Sequence, residues 1–454
     1  MRQRPVEQDK IKRRNNFEAV EENLTVEQVK AEASRCLNCK NPRCVKGCPV
    51  NIQIPDFIKA LKEDNLEKAG DIIRQTSMLP SVCGRVCPQE RQCEGNCILG
   101  IKGEAIAIGA LERFVGDNTS AKKVEITPSG KKVAIIGSGC AGITAAADLR
   151  KAGHEVTIFE ALHKFGGVLR YGIPPFRLPR KILDREISNL QEMGVNFEKN
   201  VIVGKSITLK QLKEDGFDAI FICSGAGLPK MMNIPGENLN GVFSANEFLT
   251  RVNLMGANDE SNATPLSVGR AVAVIGGGNV AMDAARTAVR VGFETVYIVY
   301  RRTEAELPAR LEEIRHAKEE GVNFVFLHAP NEIIEREGYV AGMRFEIMEL
   351  GEPDESGRRS PVGTGRFKDL DVDTVIVALG TGPNPIIQKS ASSDGINFET
   401  DRRGYFIVNE ETRETSIPTI FAGGDVAPVG ASNAINAMGA GKKAAKAINE
   451  FLKD

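Results

Sequence analysis

The feature that most constrains the fold of this chain is a strand–turn–helix–strand pattern that occurs twice. The first copy runs from VAIIG through the glycine-rich GSGCAGITAAADLRKAG to HEVTIFEA. The second copy runs from AVAVIGGG through NVAMDAARTAVRVG to ETVYIVYRR. Each copy predicts a βαβ unit. Gly137 and Gly276 hold the same position in the two copies, and their separation is that of duplicated domains rather than of a short repeat.

The first glycine-rich turn has the GxGxxG spacing of a dinucleotide-binding site. Gly137 permits the tight turn, Gly139 lets the backbone approach a pyrophosphate, and Gly142 lets the helix pack closely. The helix N-terminus offers free N–H groups and a positive dipole to phosphates. Glu160 ends the next strand, where an acidic side chain is expected to meet ribose hydroxyls. A lone GxGxxG also suits a turn that only packs a helix on a sheet, but this context favours a dinucleotide.

The second turn carries Gly276, Gly278 and Ala281, and its second strand ends without an acid. Arg301 and Arg302 stand there instead. A carboxylate would repel a 2′-phosphate, whereas a guanidinium binds one well. The two turns together predict FAD at the first site and NADPH at the second, with hydride transfer between them. The alternative is that the two arginines form a solvated surface pair.

Eight of the ten cysteines fall into two clusters in the first hundred residues, beside segments with helical periodicity. The clusters have the spacings C-x2-C-x4-C-x3-C-P and C-x3-C-x5-C-x3-C: Cys36, Cys39, Cys44 and Cys48, then Cys83, Cys87, Cys93 and Cys97. In a reducing compartment such clusters bind metal or do redox chemistry more often than they form disulfides. Four thiolates can hold zinc, but the C-x3-C-P ending resembles ferredoxin runs. An attached flavoprotein favours iron–sulfur clusters.

The overall charge and hydropathy exclude two classes of protein. Lys and Arg number 59 and Asp and Glu number 60, so no basic surface for nucleic acid is indicated. No apolar run approaches the ~20 residues that a membrane span needs. The first thirty residues are charged, so no signal peptide is expected. We therefore expect a soluble, cytoplasmic protein that binds neither nucleic acid nor membrane.

Several longer motifs point to one family. These are FGGVLRYGIPPFRLPR, GGGNVAMDAARTA, YRRTEAELPAR and FAGGDVAPVGASNAINAMGAGKKAA. Together they resemble the small subunit of NADPH-dependent glutamate synthase, over about residues 17–454. They look most like a subgroup with the homotetrameric-type glutamate synthases and the large subunit of NADH-dependent reduced ferredoxin:NADP oxidoreductase. The N-terminal half of dihydropyrimidine dehydrogenase is similar too.

The resemblance implies an α/β fold class: two Rossmann-like FAD and NAD(P) domains of the glutathione/thioredoxin-reductase type, preceded by an all-α iron–sulfur domain. The helical domain, with two [4Fe–4S] clusters, would cover 1–125. The FAD domain would comprise 130–255 plus 385–454, with the NADPH domain, 256–384, inserted. Strand-like alternation over 338–377 predicts a β-meander within the inserted domain.

The resemblance also implies further site residues. Additional FAD-binding positions would be Gly167, Arg170, Gly424, Asp425 and Ala434, the last at the start of a helix whose N-terminus points at the isoalloxazine. A helix dipole there would stabilise an anionic reduced flavin. Asn279 would join the NADPH site. No catalytic acid or base is expected, because hydride transfer depends on orientation.

For the clusters, similarity to dihydropyrimidine dehydrogenase implies an uneven division of ligands. One cluster would take Cys48, Cys87, Cys93 and Cys97. The other would take Cys36, Cys39 and Cys44 together with Glu112, from the helix IAIGALERF, as a non-cysteine ligand. Cys83 would then be spare, although two sets of four cysteines also fit the count.

The function implied is an oxidoreductase that passes electrons between NADPH, FAD and two [4Fe–4S] clusters, as the electron-input subunit of glutamate synthase or a close relative. The sequence shows neither a glutaminase nucleophile nor a (β/α)8 repeat, so we expect a second electron-transfer or amidotransferase subunit, or a homo-oligomer. The alternative is the NADP(H)-binding subunit of a ferredoxin-linked transhydrogenase or hydrogenase complex, including an electron-bifurcating one. A scaffold that retains an inactive reductase fold is the non-enzymatic alternative.

Overall fold

The N-terminal part of the computed structural model is helical, as its periodicity predicts. The structure describes residues 1–122, 125–259, 261–355, 357–428 and 432–453. The first seven helices are α1 (Lys10–Arg13), α2 (Val26–Ser34), α3 (Arg43–Lys46), α4 (Ile54–Lys62), α5 (Leu66–Arg74), α6 (Pro80–Val86) and α7 (Ile108–Asn118). Short 3-10 turns at Gln89–Arg91 and Ile98–Ile101 separate α6 from α7.

Local sequence explains where these helices begin. Thr25 and Gln28 form a reciprocal capping box at the start of α2. Pro55 and Pro80 lie in the first turns of α4 and α6, where a missing N–H costs nothing. α4 buries Phe57 and neighbouring apolar side chains on one face.

The first Gly-rich turn lies in a parallel five-stranded sheet of order β15-β4-β1-β2-β3. Its strands are β1 (Lys132–Ile136), β2 (Glu155–Glu160), β3 (Asn196–Lys199), β4 (Ala219–Ile222) and β15 (Ile420–Ala422). The helices that accompany this sheet are α8 (Cys140–Lys151), α9 (Val168–Tyr171), α10 (Arg180–Glu192), α11 (Leu209–Glu214), α15 (Ile386–Ser393) and α16 (Ala434–Phe451). β1 and β4 are buried, which explains their uninterrupted apolar sequences.

The second Gly-rich turn lies in another parallel five-stranded sheet, of order β6-β13-β7-β8-β9. Its strands are β6 (Val242–Ser244), β7 (Ala271–Ile275), β8 (Thr295–Tyr300), β9 (Asn323–Phe326) and β13 (Thr374–Val377). Its helices are α12 (Ala245–Asn253), α13 (Asn279–Val291) and α14 (Leu311–Glu319). Two short strands form an antiparallel ribbon: β5 (Leu228–Pro229), which precedes the second sheet in the chain, pairs with β14 (Thr381–Gly382), which follows it.

The predicted meander is a three-stranded antiparallel sheet of order β10-β11-β12. Its strands are β10 (His328–Arg336), β11 (Tyr339–Pro353) and β12 (Arg359–Leu370). It therefore begins ten residues earlier than the sequence pattern indicated, and β13 belongs to the parallel sheet instead.

The helical region and the first sheet share one apolar core that includes residues from Leu24 to Leu452. The second sheet has a core of its own. This shared core joins the cysteine-bearing helices to the first sheet. The domain limits given above stay a prediction. Within the described residues, no helix is both long and apolar enough to cross a membrane.

Candidate functional site

The first Gly-rich turn is packed so closely that only glycine fits at two of its positions. Gly137 has φ 115°, and a Cβ there would lie 2.5 Å from the Cys223 carbonyl oxygen. A Cβ on Gly142 would lie 2.0 Å from the Gly137 carbonyl oxygen. A Cβ on Gly139, by contrast, would meet nothing within 4 Å, because this residue faces a cavity. The arrangement leaves the N-terminus of α8 open toward that cavity, as phosphate binding requires.

Glu160 ends β2 beside this turn, with 6% of its surface exposed. Its carboxylate accepts hydrogen bonds from the Ser138 amide at 3.1 Å and from the Ser138 hydroxyl. The Leu162 amide donates to the other oxygen at 2.9 Å. The Ser138 hydroxyl in turn accepts from the Gly166 amide at 2.8 Å. These bonds fix the carboxylate at the cavity wall and attach the next loop to the turn.

The cavity has a volume of about 450 Å³ and a mostly apolar lining, which is typical of a cofactor site. Its predicted FAD-binding residues include Gly167, Gly424, Asp425 and Ala434. Burial raises the pKa of Asp425, and a hydrogen bond with Ser432 acts in the opposite direction.

Arg170 does not line this cavity. Its Nε donates to the Phe165 carbonyl oxygen at 2.7 Å, and its Nη2 pairs with Asp184. The side chain therefore supports the loop that carries Gly167 rather than facing a cofactor.

The second fingerprint reaches the same cavity through the start of α13. Gly276 has φ 143°, and a Cβ there would lie 2.5 Å from the Ala378 carbonyl oxygen. Gly278 caps α13 with open space around it, and Ala281 is fully buried. Asn279 lines the cavity, and its Oδ1 accepts from the Arg310 amide at 2.9 Å. One cavity thus adjoins the N-termini of both fingerprint helices.

The two arginines after β8 are in different environments. Arg301 is exposed, whereas Arg302 is 5% exposed. The Arg302 Nη2 donates to Asp354 at 2.6 Å, and its Nε donates to the Arg359 carbonyl oxygen at 2.6 Å. Both partners belong to the β11–β12 hairpin or its turn. The sequence did not indicate that this hairpin holds Arg302.

Cys97 lies with the first cysteine cluster, not the second. It lines a small cavity with Cys36, Cys39 and Cys44. Burial raises the pKa of Cys44 to about 11, with a further contribution from Cys97. Cys97 caps the 3-10 turn Ile98–Ile101, and that turn contributes Ile98 to the same cavity.

The second group consists of Cys48, Cys87, Cys93 and Glu112. Burial raises the pKa of Cys48 to about 11, and Glu112 and Cys83 contribute. A hydrogen bond with Cys83, burial and Glu112 raise the pKa of Cys87. Glu112 therefore lies near Cys48 and Cys87, not near Cys36, Cys39 and Cys44 as expected, because α7 packs against α6, which ends beside Cys87. The division of ligands between two clusters remains a prediction.

Glu112 places a buried carboxylate in this group. It is 5% exposed, and burial raises its pKa to about 8. Its Oε1 accepts no hydrogen bond from any residue that the structure describes. A buried carboxylate oxygen without a partner is costly unless a cation binds it. All ten cysteines are free thiols, so the donor set suits iron.

Cys83 connects the second cysteine group to the large cavity. Its Sγ lies 3.4 Å from Met438 Sδ in α16, the helix whose first residue lines the cavity. Val86, immediately before Cys87, lines the cavity as well. The second group therefore lies directly behind the cavity wall.

A buried ion pair on the cavity wall was missed by the sequence analysis. Arg177 Nη1 donates to both carboxylate oxygens of Asp283, at 2.9 and 2.7 Å. Both residues line the cavity. Burial raises the pKa of Asp283 to about 6, while Arg177 opposes this shift. The pair joins the loop that precedes α10 to α13, 106 residues apart in the chain, so no local sequence pattern could have revealed it.

Two family models match the chain. Residues 13–124 match dihydropyrimidine dehydrogenase domain II, 4Fe-4S cluster. Residues 131–441 match pyridine nucleotide-disulphide oxidoreductase. The matches confirm the expected iron–sulfur and flavoprotein modules, and with them the cofactors FAD, NADPH and [4Fe–4S].

Two characterised relatives cover most of the chain. The small chain of NADPH-dependent glutamate synthase from Escherichia coli is 36% identical over 97% of this chain and 95% of its own length. The beta subunit of NADP(+)-dependent formate dehydrogenase from Moorella thermoacetica is 39% identical over 90% of this chain. This chain spans only 60% of that subunit. The resemblance expected from the motifs is confirmed.

The solved structures support the fold. FprA from Mycobacterium tuberculosis in complex with NADPH has a TM-score of 0.57 and 22% identity, covering 72% of this chain and 86% of that one. Thioredoxin reductase from Lactococcus lactis has a TM-score of 0.54 and 24% identity, covering 71% and 99%. Together with the two family models, they confirm the expected fold class.

Proposed function

This chain belongs to the family of the NADPH-dependent glutamate synthase small chain, and we propose that it is the electron-input subunit of a larger complex. It is an oxidoreductase that passes electrons between NADPH, FAD and iron–sulfur clusters. A flavin accepts two electrons as hydride and releases them singly to such clusters.

One observation carries the proposal. A single cavity is lined by residues of both fingerprint units, and Val86, beside the second cysteine group, forms part of its wall. The Cys83–Met438 contact of 3.4 Å adds a second connection between that group and the cavity. This arrangement supports a direct path between NADPH, FAD and the second cluster, as an electron-transfer chain requires.

At the FAD site, the open N-terminus of α8 binds the pyrophosphate beside Gly139, and Glu160 binds the ribose. Gly167, Gly424, Asp425 and Ala434 line the remaining wall. At the NADPH site, Gly278 leaves the N-terminus of α13 open to the phosphates. The Arg177–Asp283 pair, close to Asn279, orients the nicotinamide end.

For the clusters, we propose two ligand sets: Cys36, Cys39, Cys44 and Cys97 for the first, and Cys48, Cys87, Cys93 and Glu112 for the second. Cys83 is then a neighbour of the second cluster rather than a ligand. In support, Cys83 already has Met438 as a partner, whereas Glu112 Oε1 has none among the described residues.

Paired variants test this ligand assignment. Glu112→Ala is expected to lower the iron content from about eight per chain and to change one of two EPR signals, because it removes a ligand. Cys83→Ala is expected to keep both. Full iron content and unchanged signals in Glu112→Ala, with losses in Cys83→Ala, would reverse the assignment.

The acceptor is identified by anaerobic native purification and mass spectrometry of every co-purifying polypeptide. We expect a large amidotransferase-type partner, which would make this chain the electron-input subunit of a cytoplasmic glutamate synthase. Recovery of the chain alone or only as a homo-oligomer, in preparations that retain FAD and iron, would contradict the proposal.

A second candidate is the NADP(H)-binding subunit of a different redox complex. It is favoured by the 39% identity to a formate dehydrogenase beta subunit. A beta subunit of NADPH-Fe(3+) oxidoreductase from Geobacter sulfurreducens is also 35% identical. A ferredoxin-reductase-like, hydrogenase-like or formate dehydrogenase-like partner in the same purification would select this candidate.

A further inference from the structure

The β11–β12 hairpin extends to the end of β8, where the second fingerprint terminates. Arg302 is held there by two bonds of 2.6 Å, one to the Asp354 carboxylate and one to the Arg359 carbonyl oxygen. The Arg302 backbone is held as well, because its carbonyl oxygen accepts a hydrogen bond from the Leu327 amide at 3.1 Å. The guanidinium of Arg302 therefore fastens the hairpin to the strand end and points away from solvent.

Two other arginines at this place keep their positive charges available. The Arg301 side chain is exposed and makes neither a hydrogen bond nor an ion pair with the described residues. The Arg359 side chain is also exposed. Among the residues that the structure describes, it donates only to the carbonyl oxygens of Leu350 and Gly351, at 2.8 and 3.3 Å. Within the described ranges, no carboxylate lies within ion-pair distance of either guanidinium.

The Arg359 residue is close to the turn that follows the two arginines after β8, since its carbonyl oxygen accepts from Arg302 and its charge acts on Glu306. Thr303 and Glu306 form the turn that follows the two arginines, through bonds between their side chains and to the Thr303 amide. Those bonds lower the pKa of Glu306, and the nearby Arg359 charge lowers it further. Arg359 is thus within electrostatic reach of this turn although it is distant in sequence.

We propose that Arg359, supplied by the hairpin, binds the 2′-phosphate of NADPH together with Arg301, and that Arg302 is a positioning residue held by Asp354. This inference rests on the proposed binding of NADPH at the second fingerprint. A phosphate monoester carries about −1.5 to −2 charges, which two guanidinium groups match. Arginine is suited to this role because it binds phosphate oxygens through two parallel N–H bonds.

The geometry disfavours direct binding by Arg301 and Arg302 together. Arg302 would have to give up both of its bonds to the hairpin, including the charge-assisted bond to the Asp354 carboxylate. With Arg302 retained by Asp354, the acid is neutralised and the hairpin keeps Arg359 in position.

The test measures the binding of 2′,5′-ADP and 5′-AMP to the FAD- and iron-loaded protein by calorimetry. Arg359→Ala is expected to weaken 2′,5′-ADP binding about tenfold, the loss of one charge-assisted contact, and to leave 5′-AMP binding unchanged. Asp354→Asn is expected to cause a smaller loss for 2′,5′-ADP alone. Arg366→Ala removes an exposed arginine of the same strand, paired with Glu349 at 3.5 Å, and should change neither affinity.

Unchanged 2′,5′-ADP affinity in Arg359→Ala, with a loss in Arg301→Ala, would overturn the role of the hairpin and leave the NADPH site intact. Equal affinity of the unaltered protein for the two nucleotides would overturn the NADPH site itself, and the inference with it. Equal losses for both nucleotides in Arg359→Ala would show a structural effect and would also overturn the inference. The Michaelis constants for NADPH and NADH provide a second readout, since only the NADPH value should rise.

Discussion

The two dinucleotide-binding units have the same backbone plan but differ in what surrounds it. In both, a glycine with positive φ ends the first strand against a carbonyl oxygen, and a second glycine opens the helix N-terminus. The first unit then places a buried carboxylate, Glu160, at the end of its second strand. The second unit places Arg301 there and adds a hairpin. The backbone therefore creates a phosphate site in each unit, and the strand end selects the nucleotide.

The third fingerprint position shows a difference in packing. Gly142 lies against the Gly137 carbonyl oxygen, on a helix that also packs along α16. The equivalent residue of the second unit, Ala281, carries a methyl group at this position and is fully buried. The first helix is thus held more tightly than the second, and the two units should respond differently to the same substitution.

The largest effect is expected for Gly142→Ala. Its Cβ would lie 2.0 Å from the Gly137 carbonyl oxygen, so the turn that binds the pyrophosphate must shift. Overpacking of ~1–3 kcal/mol corresponds to a loss of FAD affinity of up to about a hundredfold. The measurement is the ratio of flavin to protein after purification and reconstitution. Retention of full flavin would show that the tight packing is not needed for binding.

Arg301→Glu should have the next largest effect, because it gives the second unit the acidic strand end of the first. Repulsion of the 2′-phosphate is expected to raise the Michaelis constant for NADPH about thirtyfold, or ~2 kcal/mol. The constant for NADH should change little or fall. Steady-state kinetics with an artificial electron acceptor measures both. An equal rise for the two nucleotides would contradict the assignment of this strand end to the 2′-phosphate.

Glu160→Gln should have a smaller effect on the first unit. The amide keeps one acceptor oxygen but loses the charge that the Ser138 and Leu162 donors satisfy. We expect FAD to bind about tenfold more weakly, since bonds to charged groups contribute ~1.5–3 kcal/mol. Flavin release followed by fluorescence measures this. NADPH affinity at the other unit is the internal control, and its loss would indicate general unfolding.

Ala281→Gly should have the smallest effect, and it is the reciprocal of the first substitution. Glycine within a helix costs ~1 kcal/mol of folding free energy relative to alanine. The Michaelis constant for NADPH should change less than about twofold, because the turn itself needs no shift. Thermal unfolding and steady-state kinetics check the two parts. A large rise in the constant would mean that the methyl group contacts or positions the nucleotide.

What could be predicted from the sequence was mainly local. The fingerprints, the cysteine spacings and the strand-end residues are all short-range patterns. The structure places the fingerprint glycines at helix starts and Glu160 and Arg301 at strand ends, as expected. The positions of Cys97, beside Cys36, Cys39 and Cys44, and of Glu112, beside Cys48 and Cys87, differ from the expected grouping and depend on tertiary packing. The ligand division itself stays a prediction. The burial of Arg302 depends on a hairpin residue 52 positions away. The Arg177–Asp283 pair depends on contact between the loop before α10 and helix α13. These features come from tertiary packing, which periodicity does not encode.

The most direct test of the account is anaerobic mixing of the FAD- and iron-loaded protein with NADPH, followed by flavin absorbance and EPR. Because one cavity joins the two fingerprint units and the second cysteine group lies behind its wall, we predict that the flavin absorbance falls first and that a reduced-cluster EPR signal then appears. Arg301→Glu should slow both phases together. Flavin reduction that leaves the clusters oxidised at excess NADPH, or cluster reduction that precedes it, would contradict the account.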